Sequence, residues 1–271
     1  METINTRRVE FLGCPLDLMT TTELLEELKG VVASRGRARV IQFINANKIA
    51  QVHRDRGMGE IMRRADYVLA DGMPLLPMGK MLGVRIPERI DGIGLMTRLL
   101  GWAEENGFSV FFLGAKDEVL QACVAKLRER HPKLKVAGMR DGYFKTPEAA
   151  GVAAQIREAR ADLVFLGMGS PMKEKFADEQ VEAMGVSVIQ GVGGSFDVMA
   201  GVVKRAPVWL QKLGLEWLFR IVQEPRRMFW RYAVTNFSCL RLFARALLCR
   251  LTGMGRVPST SPGPVQVRVP D

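Results

Sequence analysis

The sequence is poor in the residues that build disulfide frameworks and zinc sites. Its 271 residues include four cysteines and two histidines, and no two cysteines are spaced as a CxxC pair. Structural zinc sites commonly use such pairs, so no zinc site is predicted. Isolated cysteines are usually buried, apolar side chains. We expect reduced, buried thiols at Cys14, Cys123, Cys239 and Cys249.

Long apolar runs are also missing. The longest stretch without a charged residue, Ala183–Phe196, has 14 residues and contains several glycines. A membrane-spanning helix needs about 20 mainly apolar residues. The first residues of the chain show no apolar signal-peptide core. The sequence therefore predicts a cytoplasmic protein without a transmembrane helix.

Two common nucleotide-binding signatures are absent. Nothing resembles the GxxxxGK[ST] phosphate loop, and Gly167-x-Gly169 lacks the third glycine of the GxGxxG dinucleotide fingerprint. ATP hydrolysis and NAD chemistry are therefore disfavoured.

Positive charge is concentrated near the C-terminus. The chain has 39 Lys and Arg against 29 Asp and Glu, and residues 201–257 hold eleven basic and two acidic side chains. This asymmetry indicates an anionic partner, either nucleic acid or an acidic membrane surface. Tryptophans and leucines interleave with the arginines, which is typical of a helix in a membrane interface. A core-packing helical subdomain with a solvated basic face is the alternative.

Short runs rich in Val, Ile and Phe alternate with helical patterns over the first 200 residues. Thr20 and Glu23 form a capping box for a helix over Thr21–Val32, and a second apolar helical face ends at His131-Pro132. The predicted strands are Val9–Leu16, Val40–Asn45, Tyr67–Ala70, Ser109–Gly114, Lys135–Gly138, Asp162–Gly167 and Ser187–Gly191.

This alternation predicts an α/β fold with a mostly parallel, Rossmann-like sheet and helices on both faces. We expect it to fill residues 1–203. A basic, amphipathic helical appendage follows over residues 204–256, where the composition changes. The last segment, residues 257–271, has four prolines and is predicted to be a disordered tail.

Ligands bind such sheets at the carboxyl ends of the strands. Two of these ends, Gly167–Pro171 and Gly191–Ser195, predict a strand, a glycine turn and a helix start, an arrangement that accepts phosphate. A nucleotide site is therefore expected. The strand-end strings are Asn45-Ala46-Asn47, Asp71-Gly72, Gly114-Ala115-Lys116, Asp141-Gly142-Tyr143, Gly167 to Pro171 and Gly191 to Asp197.

Taken together, these strings resemble the WecG/TagA/CpsF family, whose members transfer a sugar from a UDP-sugar to a lipid-linked acceptor. The resemblance spans roughly Val9 to Tyr232. It is densest at Ala70-Asp71-Gly72, Glu88 to Gly92, Asp141 to Phe144, Gly167 to Lys175, Gly191 to Gly201, Lys204 to Pro207, Leu213 to Trp217 and Gln223 to Arg227.

The resemblance implies an inverting glycosyltransferase that needs no metal. It would move a hexosyl or N-acetylhexosaminyl unit, of the ManNAc type or a uronic form, from a UDP-sugar to an undecaprenyl-diphosphate-linked saccharide for a surface polysaccharide. The basic appendage would seat on the inner face of the cell membrane, and homo-oligomers are possible in the family. The sequence also lacks an Asp-x-Asp pair, so a manganese clamp on UDP has no obvious ligands.

The family match gives the catalytic roles to Asp71 and Arg89. Asp71 follows an apolar strand, where burial raises a carboxyl pKa, and would deprotonate the acceptor hydroxyl. It could instead cap the next helix. Arg89 would stabilise the leaving diphosphate, with a surface salt bridge to Glu88 or Asp91 as the alternative. Asp91 could orient Arg89 or a sugar hydroxyl.

Further substrate-binding residues follow from the same match. Asn45 and Asn47 would hold the donor sugar or phosphate. Tyr143 would stack on uracil and Asp197 accept the ribose hydroxyls; a packed ring and a helix cap are the alternatives. The glycines expected to line the phosphates are Gly167, Gly169 and Gly193.

Two departures from the family pattern make the donor uncertain. Phe43 replaces a frequent threonine, and Lys173 replaces a glutamine before Glu174. A cation there could favour an acidic sugar or strengthen diphosphate binding.

In the appendage, Arg220, Arg227 and Arg231 match arginines thought to reach a diphosphate, while Arg226 would meet lipid headgroups. If these arginines complete the active site only when the appendage docks on the membrane, catalysis depends on membrane binding.

The basic C-terminus is also compatible with a nucleic-acid-binding protein instead of an enzyme. Arginines interleaved with aromatics are also found in RNA- and DNA-binding modules. The Trp/Leu amphipathic pattern and the glycine-rich strand ends argue against nucleic acid as the partner. A family member that binds the nucleotide sugar without turnover is a third possibility, which the presence of Asp71 and Arg89 disfavours.

Overall fold

A computed structural model describes residues 7–252, except for the side chains of Lys212, Arg227, Met228 and Arg231. The predicted tail, residues 257–271, lies outside this range. The strands are β1 (Arg8–Phe11), β2 (Cys14–Asp17), β3 (Arg39–Ile44), β4 (Tyr67–Ala70), β5 (Ser109–Gly114), β6 (Lys135–Arg140), β7 (Leu163–Gly167) and β8 (Val188–Gly191).

Helices separate most of the strands, and a 3-10 turn covers Thr146–Glu148. The α-helices are α1 (Thr21–Ser34), α2 (Ala46–Arg54), α3 (Arg56–Arg64), α4 (Leu75–Leu82), α5 (Gly92–Asn106), α6 (Asp117–Arg130), α7 (Ala149–Glu158), α8 (Met172–Glu179), α9 (Ser195–Met199), α10 (Val208–Lys212), α11 (Glu216–Gln223) and α12 (Pro225–Thr252).

Six strands form one parallel sheet in the order β4-β3-β8-β7-β5-β6. Its two faces are covered by different helices. Ile49 of α2 and Phe176 of α8 belong to the core on one face, and Leu95 of α5 and Leu120 of α6 to the core on the other. The prediction of a parallel α/β fold with helices on both faces is confirmed.

The predicted capping box is also present. The Thr20 hydroxyl accepts a bond from the Glu23 amide at 3.3 Å, and the Glu23 carboxylate accepts one from the Thr20 amide at 2.8 Å. Two unpaired amides at the start of α1 are satisfied in this way.

The single strand predicted over Val9–Leu16 is wrong. The segment folds back on itself as the antiparallel pair β1 and β2, outside the main sheet. Leu12 and Gly13 form the turn with positive φ angles of 49° and 77°. Two successive residues with positive φ favour a tight hairpin turn. Because glycine has no Cβ, the second residue adopts this conformation with little steric strain.

The C-terminal segment is partly integrated into the body. Cys239 and Phe243 of α12 are buried in the same core as Ile49 and Leu75. The opposite face of α12 exposes large apolar side chains together with Arg241 and Arg245. Within residues 7–252, no helix combines the length and apolarity needed to cross a bilayer.

Candidate active site

The carboxyl ends of the parallel strands meet at one edge of the sheet, and the glycines there have different functions. Gly114 and Gly167 pack backbone to backbone, since a Cβ on Gly114 would lie 2.4 Å from the Gly167 carbonyl carbon. A Cβ on Gly167 would also meet the Phe196 ring at 2.3 Å. Gly169 and Gly193 instead face open space, which leaves room for a ligand.

Asp71 lies at this edge directly after β4. Its side chain accepts a hydrogen bond from the Asn45 amide nitrogen at 3.3 Å. Burial raises the pKa of Asp71 above its usual value, while the nearby Arg89 guanidinium opposes the shift. Helix α4 takes Pro74 as its N-cap, so the alternative that Asp71 caps this helix is wrong. A partly buried carboxylate of raised pKa can accept a proton near neutral pH.

Arg89 is held beside Asp71 by two hydrogen bonds. Its Nε donates to the Asp71 carbonyl oxygen at 2.6 Å, and its Nη2 donates to the Glu216 carboxylate at 2.6 Å. Nη2 also lies 3.9 Å from the Asp71 carboxylate. Glu88 is bound to Thr21 instead, so the predicted alternative of a surface pair with Glu88 is wrong.

Asp91 makes two contacts of its own. It caps α5 by accepting from the Gly94 amide at 2.9 Å, and it accepts from Arg205 at 2.8 Å. Arg205 is thus the guanidinium that Asp91 holds, rather than Arg89 as the sequence suggested. The second alternative for Arg89, a pair with Asp91, is wrong for the same reason.

Glu216 and Arg205 were not predicted as site residues from the sequence. Both come from the C-terminal segment, Glu216 pairing with Arg89 and Arg205 with Asp91. The Arg205 Nε lies 3.8 Å from the Glu216 carboxylate. One signal was available. Glu216 is one of two acidic residues among residues 201–257, so its presence in a basic segment was informative.

A second cluster of charges lies under the end of β8. Glu174 is fully buried, and one of its oxygens is paired with both Lys48, at 2.7 Å, and Lys173. Burial alone would raise the pKa of Glu174, but the two ammonium groups hold it below its usual value. Two cations on one carboxylate leave a net positive charge there. Of these three residues, only Lys173 was predicted as a site residue from the sequence.

Asn45 and Asn47 lie at the start of α2 and have different surroundings. Asn45 is the N-cap of α2, accepting from the Lys48 amide at 3.0 Å. Asn47 lines an open cavity of about 580 Å³ between α2, α12 and the loop after β7, together with Gly169 and Trp230. Both asparagines are therefore at the ligand edge of the sheet.

Three further predicted residues are located as follows. The Tyr143 ring is 71% exposed, so the packed-ring alternative is wrong and the ring is free to stack. Asp197 is the third residue of α9, whose N-cap is Gly194, so the helix-cap alternative is wrong as well. Arg220 is exposed on α11. The side chains of Arg227 and Arg231 lie outside the described residues.

Most of the chain matches one family model. The model described as the "Glycosyl transferase WecG/TagA/CpsF family" covers residues 9–252. Curated relatives named N-acetylglucosaminyldiphosphoundecaprenol N-acetyl-beta-D-mannosaminyltransferase are similar to it. The one from Bacillus subtilis is 35% identical over 71% of this chain and 73% of its own length. A relative from Staphylococcus aureus (strain MW2) is 31% identical over 84% of this chain and 89% of its own length.

Proposed function

Because this chain belongs to the WecG/TagA/CpsF family of glycosyltransferases, we propose that it transfers a sugar from a UDP-sugar to an undecaprenyl-diphosphate-linked saccharide. The donor would carry a hexosyl or N-acetylhexosaminyl unit of the ManNAc type or a uronic form. The relatives' names give a ManNAc unit and a GlcNAc-diphosphoundecaprenol acceptor. The product would enter a surface polysaccharide.

The pairing of Asp71 with Arg89 carries this proposal. Asp71 would accept the proton of the acceptor hydroxyl as that oxygen bonds to the anomeric carbon of the donor. The bond between this carbon and the phosphate oxygen breaks at the same time, and UDP leaves with the electron pair. Attack opposite to the leaving group inverts the anomeric carbon.

Arg89 would meet the charge that develops on the leaving phosphate. A guanidinium offers a planar fork that matches phosphate oxygens, and its two fixed bonds to Asp71 and Glu216 orient it in advance. Arg220 and the other arginines of the C-terminal segment would add positive charge. We propose that these side chains replace a metal, with EDTA leaving turnover unchanged.

The test of the proposed function is UDP release in the presence of lipid vesicles that contain GlcNAc-diphosphoundecaprenol. The donors compared are the UDP forms of GlcNAc, ManNAc, Glc, GlcA and ManNAcA. Turnover with one donor, unchanged by EDTA, supports the proposal. Hydrolysis without transfer to lipid, or turnover with none of the donors, would contradict it.

Replacement of Lys173 by glutamine is expected to weaken donor binding. Removing one charge-assisted hydrogen bond costs about 1.5–3 kcal/mol, or roughly ten- to a hundredfold in KM. Lys48 stays paired with Glu174, so the fold should tolerate the change. Steady-state kinetics with UDP-ManNAc and UDP-ManNAcA measure it.

The two donors separate the roles that Lys173 can have. Equal losses for both donors assign the lysine to the diphosphate, and a loss confined to UDP-ManNAcA assigns it to the sugar carboxylate. Lys175→Gln, an exposed lysine on the same helix, is the matched control. A KM unchanged by Lys173→Gln for both donors would contradict a role in donor binding.

We also propose that the exposed face of α12 seats the enzyme on the inner, anionic face of the cell membrane. Trp230, Phe237 and Leu248 are 62–71% exposed and are separated by 7 and 11 residues, close to whole helical turns. Arg241 and Arg245 are exposed on the same helix. Apolar rings beside arginines suit the boundary between acyl chains and anionic headgroups.

Flotation with anionic vesicles tests this surface. Trp230→Ala combined with Phe237→Ala is expected to reduce binding at least about tenfold, because each buried aromatic side chain contributes about 1.5–3 kcal/mol. Tyr143→Ala removes an exposed ring elsewhere and serves as the control. Unchanged flotation of the double variant, or preferential retention on RNA, would contradict a membrane surface here.

A further inference from the structure

One carboxylate of the C-terminal segment, that of Glu216, contacts the proposed catalytic residues Asp71 and Arg89 by accepting a hydrogen bond from Arg89. We infer that Glu216 is a positioning residue for the transfer reaction, which orients the Arg89 guanidinium and keeps a negative charge beside Asp71. This inference rests on the proposed function, because it assigns Glu216 a task in the same reaction. Glu216 is not among the site residues predicted from the sequence.

The backbone just before Glu216 lies close to the loop that follows β4. Gly214 adopts a positive φ of 72°, and a Cβ at this position would lie 3.0 Å from the Met73 Cβ. The segment therefore packs directly on the loop that follows Asp71. Helix α11 begins two residues later, at Glu216, which lies with 28% of its side chain exposed.

Arg89 is fixed at two points that belong to different parts of the chain. Its Nε is bound to the Asp71 carbonyl oxygen, and its Nη2 to Glu216, both at 2.6 Å. Two bonds on a planar guanidinium set both its position and its plane. Within residues 7–252, Nη1 of Arg89 makes no hydrogen bond, so it is the nitrogen available to a phosphate oxygen. Glu216 thus orients Arg89 without occupying its whole fork.

When Asp71 is ionised, the cluster that it forms with its charged neighbours carries one excess negative charge. The carboxylates that face it are Asp91 and Glu216, and the guanidiniums are Arg89 and, through Asp91 and Glu216, Arg205. After burial and the opposing effect of Arg89, Asp91 and Glu216 each raise the pKa of Asp71. A base of raised pKa binds the acceptor proton more strongly. Removing the charge of Glu216 should therefore weaken Asp71 as a base.

Glu216→Gln tests both effects because glutamine keeps an acceptor oxygen for Arg89 but loses the charge. We expect kcat to fall about tenfold or more, since small displacements of positioned groups have effects of this order, with little change in the donor KM. We also expect the acid limb of the kcat profile to move to lower pH. Glu105→Gln, an exposed glutamate at the far end of α5, is the matched control.

A titration that needs no turnover separates this inference from the proposed function. The carboxyl carbon of Asp71, followed by NMR, should show a lower pKa in Glu216→Gln than in the native chain or in Glu105→Gln. If the native chain transfers no sugar, the proposed function fails and this titration still decides whether Glu216 acts on Asp71.

Two results would overturn the inference. Tighter UDP binding with a higher kcat in Glu216→Gln would mean that Glu216 masks Arg89 rather than positions it. An unchanged Asp71 pKa with an unchanged kcat would mean that the contact only holds the C-terminal segment in place.

Discussion

Replacing Asp71 by asparagine is expected to lower kcat by at least about a hundredfold, since a general base contributes roughly 10²–10⁴ to the rate. The amide cannot accept the acceptor proton, but it keeps an oxygen for the Asn45 bond. The measurement is UDP release with the lipid acceptor under saturating donor. Asp178→Asn, at the far end of α8, removes a partly buried carboxylate that pairs with Arg64 and should leave kcat unchanged.

The same substitution should leave stability intact or improve it. Because burial raises the pKa of Asp71, its ionised form costs free energy in the folded state, and this cost grows as the pH rises through that pKa. Asparagine removes the cost, so Tm at neutral pH should be equal or higher. A large loss of Tm would assign the lost activity to unfolding, and an undiminished kcat would remove Asp71 from the mechanism.

On acidification, the native enzyme should also lose activity at a higher pH than an enzyme whose general base has an ordinary aspartate pKa. Asp71 must be ionised to accept a proton, and its raised pKa moves the acid limb of the kcat profile above the usual aspartate range. Turnover measured across acidic to neutral pH checks the position of this limb.

Substitution of Arg89 by lysine has the second large expected effect, a fall in kcat of about 10²–10³. Lysine keeps the charge but is a point donor, so it cannot bind the Asp71 carbonyl oxygen and Glu216 while presenting a fork to phosphate. The measurements are kcat for the lipid acceptor and the affinity for UDP. Arg64→Lys, a surface arginine paired with Asp178, is the control.

A second variant of Arg89 gives a pH readout. Arg89 lowers the pKa of Asp71 by its charge, so Arg89→Gln should raise that pKa and move the acid limb to higher pH. This shift is opposite to that expected for Glu216→Gln. If Arg89→Lys retains full kcat and UDP affinity, a charge at this position suffices and the oriented fork has no part in catalysis.

The sequence was most informative where local patterns decide the structure. Parallel strands are buried on both faces, so they appear as short apolar runs, and their carboxyl ends must share one edge of the sheet. This reasoning predicts from the sequence alone that Asp71 and Asn45 lie at the same edge of the sheet. The hairpin of β1 and β2 was missed because its two strands and their two-residue turn also form one short apolar run.

The charged partners could not be predicted in the same way. Glu216 meets Arg89 across 127 positions in the sequence, and Lys48 meets Glu174 across 126. Such pairs depend on how the C-terminal segment and α8 pack on the sheet, which no local pattern encodes. The available signals were Glu216, one of two acidic residues in a basic segment, and a glutamate beside Lys173. Glutamates next to basic residues are also common on protein surfaces, so neither signal was specific.

The configuration of the newly formed glycosidic bond tests the central claim most directly. The claim is that Asp71 activates the acceptor for a single attack opposite to the leaving UDP. NMR of the lipid-linked product made from an α-configured UDP-sugar is expected to show a β linkage, formed by the native chain and at least about a hundredfold more slowly by Asp71→Asn. An α linkage would mean retention, which a single displacement with Asp71 as the base cannot produce.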